Sequence, residues 1–202
     1  MAYASWATPN KQSGSGNDTV SWTGSAHTGR SSRTTTATFA ASGVESNTLT
    51  IIQAGKSEFV EMDDTGTVAK AGGTVTISGT SNSSKLTFSL TGTNGIGLKL
   101  PASYTANSVS TNNGAAISGD PGATQQYAFS ITFANIPANA TIASLSSQLT
   151  VTDNAGHTDT CTITQAAGDA HLTISPTTIN LTAAGVADNS VSVSSNTSWT
   201  IS

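Results

Sequence analysis

The sequence predicts an all-β protein made of antiparallel β-sandwiches, and three observations predict it. Apolar residues alternate with Ser or Thr in short runs such as Leu-Thr-Phe-Ser-Leu at 86–90, so one face of each run is apolar and the other carries hydroxyls. Clusters of Gly, Asn, Asp and Ser separate these runs at a spacing of roughly ten residues. No segment keeps the period of an amphipathic helix over three turns.

Each predicted strand is a run in which Val, Ile, Leu or Phe alternates with Thr or Ser. Thr suits the wet face of a strand, because its β-branched side chain fits the pleat while its hydroxyl tolerates water. The predicted strands lie at 48–52, 74–77, 85–90, 127–133, 148–152, 160–164, 171–174, 179–181 and 190–193. The spacing and shortness of these runs favour sandwiches over other all-β folds.

The composition excludes several classes of function. Seven Lys and Arg are scattered among eleven acidic residues, and the net charge is −4, so we expect no nucleic acid partner. No apolar run approaches the ~20 residues of a membrane span, and we expect no membrane partner. The single cysteine, Cys161, forms neither an internal disulfide nor a structural zinc site. The first residues have neither a basic nor an apolar segment, which predicts no secretory signal.

An internal repeat divides the chain unevenly. Thr-Leu-Thr-Ile-Ile-Gln-Ala-Gly at 48–55 recurs as Thr-Cys-Thr-Ile-Thr-Gln-Ala-Ala-Gly at 160–168, which places Gln53 and Gln165 112 positions apart. The Ala-Gly-Gly and Ser-Asn-Ser-Ser motifs near 71 and 81 resemble, at nearly the same offset, Ala-Gly near 184 and Ser-Asn-Thr-Ser near 195. Repeats of this kind decide where domains begin and end. The chain therefore holds the end of one repeat, one whole repeat, and the beginning of another.

The terminal motifs resemble the BACON family, immunoglobulin-like sandwiches of Bacteroidetes and their phages. A Pro after the first strand, a Gly turn and a Ser-Asn-x-x-Trp motif open that fold, and they match residues 172–201. A Trp, a Gly-rich turn, an Arg at a strand entry and a closing Gln-x-Gly complete it, and they match residues 6–55. The middle repeat departs from the pattern, because Lys85 stands at the Trp position and the Arg is missing.

The resemblance implies tandem immunoglobulin-like sandwiches, of which one is split between the chain ends. Residues 1–56 are the second half of a sandwich, 57–168 are a complete sandwich with a long insertion at about 92–126, and 169–202 are a first half. Either half alone leaves strand edges exposed. Two closures remain open, since residues 169–202 complete 1–56 of the same chain or of a neighbouring copy. A truncated natural chain is the third alternative.

Seven residues are candidate interface or ligand contacts. Indole faces stack on sugar rings, although Trp residues in this family also pack in the core. The insertion is too long for an ordinary loop, and its apolar residues alternate as in an extra hairpin or a docking segment. The candidates are Trp6, Trp22, Trp199, Ile96, Leu98, Leu100 and Tyr104.

No arrangement of residues predicts catalysis, a cofactor or a metal. The three histidines lie far apart in the sequence, and no nucleophile motif accompanies them. Asp153 and Asp159 flank a loop that offers calcium ligands, but a hairpin turn stabilised by Asx side chains is the favoured interpretation. Cys161 occupies an alternating strand position and is interpreted as a buried small hydrophobe.

The resemblance and the split domain favour a non-enzymatic structural protein of a virion. The resemblance implies an auxiliary or decoration protein on the capsid surface of a crAss-like phage. Its expected partners are copies of itself and the major capsid protein. The alternative is a glycan- or mucin-binding module of a secreted Bacteroidetes protein, located outside the cell or on its surface. Weak glycan binding is also compatible with the virion hypothesis.

Overall fold

The computed structural model describes residues 3–185 and 190–202. The all-β prediction is confirmed, because these residues form fifteen strands and no helix. Every pair among the described strands is antiparallel except one. No described segment is an apolar helix long enough to cross a bilayer.

Residues 60–165 form a β-sandwich of two sheets. One sheet has the order β10-β9-β11-β7-β5, and the other has the order β6-β13-β12-β8. The strands of the first are β5 (Val60–Met62), β7 (Gly73–Ser81), β9 (Ser103–Ala106), β10 (Val109–Asn112) and β11 (Tyr127–Ile136). Those of the second are β6 (Thr65–Val68), β8 (Leu86–Asn94), β12 (Leu145–Asp153) and β13 (Thr158–Gln165). We call this unit the central sandwich.

The core of the central sandwich comes from the alternation in its strands. In β12, Leu149 and Val151 are fully buried, while Thr150 and Thr152 beside them lie half-buried. Phe88 of the same sheet contacts Phe129 of the opposite sheet with ring centroids 5.7 Å apart, so the apolar faces of both sheets meet in one cluster. Burial of this apolar area stabilises the fold.

The insertion contains an extra hairpin. Strands β9 and β10 pair around the two-residue loop Asn107-Ser108, and both loop residues have positive φ angles, 47° and 65°. This is the geometry of the type I′ turn that suits the right-handed twist of a hairpin. Because β9 also pairs with β11, the hairpin extends a sheet of the central sandwich.

The segment before the central sandwich contains two separate strand pairs. β1 (Ala7–Pro9) pairs with β2 (Trp22–Gly24), and β3 (Arg33–Phe39) pairs with β4 (Asn47–Gln53). Neither pair joins a sheet of the central sandwich. We call residues 3–56 the N-terminal segment.

The segment after the central sandwich, residues 169–185 and 190–202, contains one hairpin. β14 (Leu172–Ser175) pairs with β15 (Ser192–Ser195), and we call these residues the C-terminal segment. The strand expected at 179–181 is wrong, because these residues form no regular strand here. The strand expected at 190–193 begins only at Ser192, and residues 186–189 lie outside the described residues.

Candidate functional site

The N-terminal segment has an open apolar face. Phe39 is 45% exposed and Leu49 is 39% exposed, although both belong to the paired strands β3 and β4. A cavity of about 780 Å³ lies against this segment, and its walls include Tyr3, Trp22 and Ala37 as well as Phe39. Two-stranded sheets rarely stand alone in water, so this face is suited to a further layer of protein.

The C-terminal segment has an apolar surface of its own. The hairpin and the residues around it carry large side chains that are between 36% and 88% exposed. These residues are Leu172, Ile174, Ile179, Leu181, Val193, Trp199 and Ile201. Such a concentration of exposed apolar side chains indicates an interaction surface rather than scattered surface residues.

The three candidate tryptophans occupy different environments. Trp6 lies under Arg33, whose guanidinium carbon is 4.5 Å from the ring centroid, as in a cation–π contact. Trp22 meets the ring of Tyr3 edge-on at a centroid distance of 5.1 Å and lines the cavity. Trp199 is 46% exposed on the C-terminal segment. The structure therefore places Trp22 beside the open face, Trp6 against Arg33, and Trp199 on the other segment.

The four insertion candidates lie inside the central sandwich. Ile96, Leu98 and Tyr104 are buried in its core, and Leu100 packs against that core half-buried. Tyr104 contacts Phe88 with ring centroids 4.8 Å apart, and burial raises the pKa of its hydroxyl. In this conformation their own chain covers these residues, and their contact with a partner stays a prediction.

Another residue of the insertion does make a contact outside the sandwich. Asp120 forms a bidentate ion pair with Arg30 of the N-terminal segment, with N–O distances of 2.6 and 2.8 Å. Arg30 also lies 3.0 Å from the buried carboxylate of Glu58 and donates to the backbone carbonyl of Asn82. Ser83 donates to the second oxygen of Glu58 at 2.8 Å.

This ion-pair cluster forms the joint between the N-terminal segment and the central sandwich. The hydrogen bond from Arg30 holds the pKa of Asp120 below its ordinary value, and the same bond is the main cause of the raised pKa of Arg30. The side chain of Glu58 is only 5% exposed, so it depends on Arg30 for charge compensation. A backbone hydrogen bond from Lys56 to Gly29, 2.8 Å long, runs beside the cluster.

The joint to the C-terminal segment has different side-chain contacts, although a similar backbone hydrogen bond lies beside it. Gly168 donates to the carbonyl of Thr141 at 2.7 Å, which corresponds to the Lys56–Gly29 bond 112 positions earlier. Asn196 donates to the carbonyl of Ala140 at 3.0 Å. Lys70 and Asp169 form the ion pair here, with side chains 52% and 79% exposed.

The polar candidates for catalysis or metal binding have structural partners. Asp153 accepts hydrogen bonds from the backbone N–H of Ala155 and His157, and lies 2.8 Å from the His157 ring, an arrangement typical of a closed hairpin turn. Cys161 is fully buried, and burial raises its pKa to about 11, so its thiol stays protonated near neutral pH. Within the described residues, no three His, Cys, Asp or Glu side chains gather as metal ligands.

No known protein-family model, curated protein or solved structure matches the chain. The functional interpretation therefore depends on the geometry of the chain itself. The feature that bears most directly on function is a pair of apolar faces, one on each terminal segment.

Sequence reasoning missed the Arg30 cluster. Glu58 and Asp120 are separated from Arg30 by 28 and 90 positions, and neither belongs to a motif. The only available signal was compositional, because Arg30 is one of only seven basic residues and follows a Gly. The resemblance had marked it as a strand-entry residue rather than as a joint.

Proposed function

We propose that this chain is a non-enzymatic structural protein that assembles with copies of itself by completing a split sandwich. The observation that carries the proposal is that the two terminal segments, each with an exposed apolar face, are attached at opposite ends of the central sandwich. Asn82, which contacts the N-terminal segment, directly follows the last residue of β7. Lys70, which contacts the C-terminal segment, precedes its first residue.

The separation of the joints favours completion between copies over completion within one chain. The nine residues of β7 span about 26 Å, at ~3.3 Å per residue. For the segments of one chain to meet, the Arg30 cluster or the Asn196–Ala140 hydrogen bond would have to break. When a terminal segment of one copy instead meets the complementary segment of a second copy, both joints stay intact. A head-to-tail contact of this kind is heterologous and produces rings or filaments.

We infer further that this assembly belongs to a virus particle, as an auxiliary or decoration protein on the capsid surface. The resemblance of the terminal motifs to BACON sandwiches of Bacteroidetes phages supports this inference. Strand exchange between neighbours also suits a surface lattice, because each copy is held by two others. The major capsid protein would then be the second partner, beside copies of the chain.

The oligomeric state tests the proposal. We expect sedimentation velocity of the full chain to show mass increasing with concentration, because each copy offers one donor and one acceptor segment. Deleting residues 170–202 should abolish the increase in mass with concentration. Adding the intact chain to the shortened chain should not make the shortened chain form long assemblies. A full chain that stays monomeric across the micromolar range contradicts the proposal.

A glycan-binding module is the second candidate, and the cavity beside Trp22 is the observation that favours it. Tyr3 and Trp22 supply aromatic surfaces, and Lys11, Gln12 and Asp18 supply polar groups around the same space. We expect the Trp22→Ala variant to lose any binding on a mucin-glycan array, whereas Trp199→Ala should keep it. Absence of binding by the unmodified chain eliminates this candidate.

A further inference from the structure

The β3–β4 hairpin repeats the β12–β13 hairpin residue for residue. Arg33 pairs with Gln53 and Phe39 with Asn47, while Leu145 pairs with Gln165 and Val151 with Asp159. Every residue is shifted by the same 112 positions, so the two hairpins share one register. The N-terminal segment therefore contains the counterparts of the last two strands of the central sandwich.

A side chain confirms that the correspondence includes tertiary contacts. The amide of Gln165 donates to the carbonyl of Pro137 at 2.8 Å, and the amide of Gln53 donates to the carbonyl of Ser25 at 2.9 Å. Both acceptors are again 112 positions apart. Gln165 also reaches the carbonyl of Ala69, in the chain that follows β6, at 3.4 Å.

The C-terminal segment repeats the first strands of the central sandwich, with a shift of 112 positions at Phe59 and 114 at Asn82. Asn82 accepts from the Phe59 N–H and donates to the Ser57 carbonyl, at 2.8 and 3.0 Å. Asn196 accepts from the His171 N–H and donates to the Asp169 carbonyl, at 3.0 and 2.9 Å. The hairpin β14–β15 thus corresponds to β5 and the end of β7.

A glycine turn extends this correspondence to the chain between the two strands. Gly72 has a φ of 78° and donates to the carbonyl of Ala69, and Gly185 has a φ of 71° and donates to the carbonyl of Thr182. A left-handed φ at both positions favours Gly. The offset here is 113, so residues 178–181 correspond to β6.

In the central sandwich, β6 covers the outer edge of β13 as a parallel strand. Thr162 pairs with Thr65, Ile163 with Gly66, and Gln165 with Val68. Among the described strands, only β3 pairs with β4, so the corresponding edge of β4 carries no second strand. The residues that correspond to β6 expose Ile179 by 38% and Leu181 by 67%, whereas Gly66 and Val68 are buried.

We propose that residues 178–181 of one copy add to the free edge of β4 of the next copy as a parallel strand, with Thr178 opposite Thr50. The inference rests on the proposed function and specifies its register. Ile179 then lies opposite Ile51 on the inner face, and Leu181 lies opposite Gln53. The amide of Gln53 reaches the carbonyl of Thr182 of that copy, as the amide of Gln165 reaches Ala69.

Disulfide trapping between two differently marked chains tests the register. One chain carries Thr50→Cys, and the other, enlarged by a tag to separate it on a gel, carries Thr178→Cys. Both threonines are exposed, and adjacent strands lie close enough for a disulfide. The native Cys161 is fully buried, and the unmodified chains mixed in the same way measure its background.

The matched control replaces the next residue, Ile179→Cys, whose side chain points to the opposite face in the proposed register. We expect ~10-fold more linked heterodimer from the Thr50–Thr178 pair, because only that pair meets disulfide geometry. Equal yields, or more from Ile179→Cys, overturn the register while assembly of the unmodified chain still supports the proposed function. Absence of both links and assembly overturns the proposed function itself.

Discussion

The β12–β13 and β3–β4 hairpins share a register but differ in burial. Ile163 is fully buried in the central sandwich, whereas its counterpart Ile51 is only half-buried. The hairpins have the same length of pairing and the same alternation of side chains. What differs is their surroundings, because β6 and β8 flank the first hairpin and no described strand flanks the second. The comparison teaches that local sequence forms the hairpin, while burial requires neighbours that the N-terminal segment lacks.

Truncating the matched isoleucines gives the largest expected effect. Ile163→Ala should lower the free energy of unfolding by about 2–5 kcal/mol, because it opens a cavity in a fully buried site. Ile51→Ala should lower it by less than about 1 kcal/mol in the unassembled chain, where the side chain is half-buried. Urea unfolding at low protein concentration measures both.

The same pair separates folding from assembly. At high concentration we expect Ile51→Ala to weaken self-association, since Ile51 would face a second copy. Equal losses of stability for both variants at low concentration would mean that the N-terminal hairpin already has a complete core.

Breaking the charged joint has the next largest effect. Arg30→Gln leaves the carboxylate of Glu58 buried without its cation and should lower the free energy of unfolding by about 2 kcal/mol. This loss is below the range for fully buried pairs, because Arg30 and Asp120 are partly exposed. The matched control is Lys70→Gln at the other joint, whose exposed ion pair should contribute ~0–1 kcal/mol. Thermal unfolding of both variants measures the difference, and a larger loss for Lys70→Gln contradicts it.

The pH dependence of stability reports on the same joint. Arg30 depresses the pKa of Asp120 in the folded chain, so this contribution is present above the unfolded pKa and is lost as pH falls through the folded one. We therefore expect the unmodified chain to lose stability on acidification, in part through Asp120. Arg30→Gln should reduce that acid-dependent loss, and an unchanged slope argues against the assignment.

The two glutamines give the smallest of the expected differences. Gln165→Ala removes a buried amide that donates to the Pro137 carbonyl and should lower the free energy of unfolding by about 1 kcal/mol, the net contribution of a neutral hydrogen bond. Gln53→Ala should cost less in the unassembled chain, because that region is more open to water. If the register proposed above holds, Gln53→Ala makes assemblies dissociate more readily, which sedimentation on dilution measures.

Much of the fold was predictable from alternation. The runs at 85–90, 127–133 and 148–152 became β8, β11 and β12, because each presents apolar residues at every second position. Strand β3, with the sequence Arg-Thr-Thr-Thr-Ala-Thr-Phe, was not predicted, since its inward positions hold Thr35 and the small Ala37. Its pairing with β4 decides that it is a strand.

The candidate contacts show that the sequence alone did not predict burial or contacts between distant positions. Ile96, Leu98 and Tyr104 alternate as an exposed hairpin or a core strand would, and only the packing of the sandwich places them inside. Arg30 reaches Glu58 and Asp120 because the chain folds back at the joint, and their sequence positions give no sign of it.

The sequence by itself determined the all-β class and the 112-residue repeat. Alternation with period two and repeated motifs are properties of residue order, so they can be recognised before folding. Only the tertiary structure decided which faces of the repeats are covered and which remain open. Burial depends on strands brought together from distant positions, and here the joints hold the two open segments at opposite ends of one sandwich.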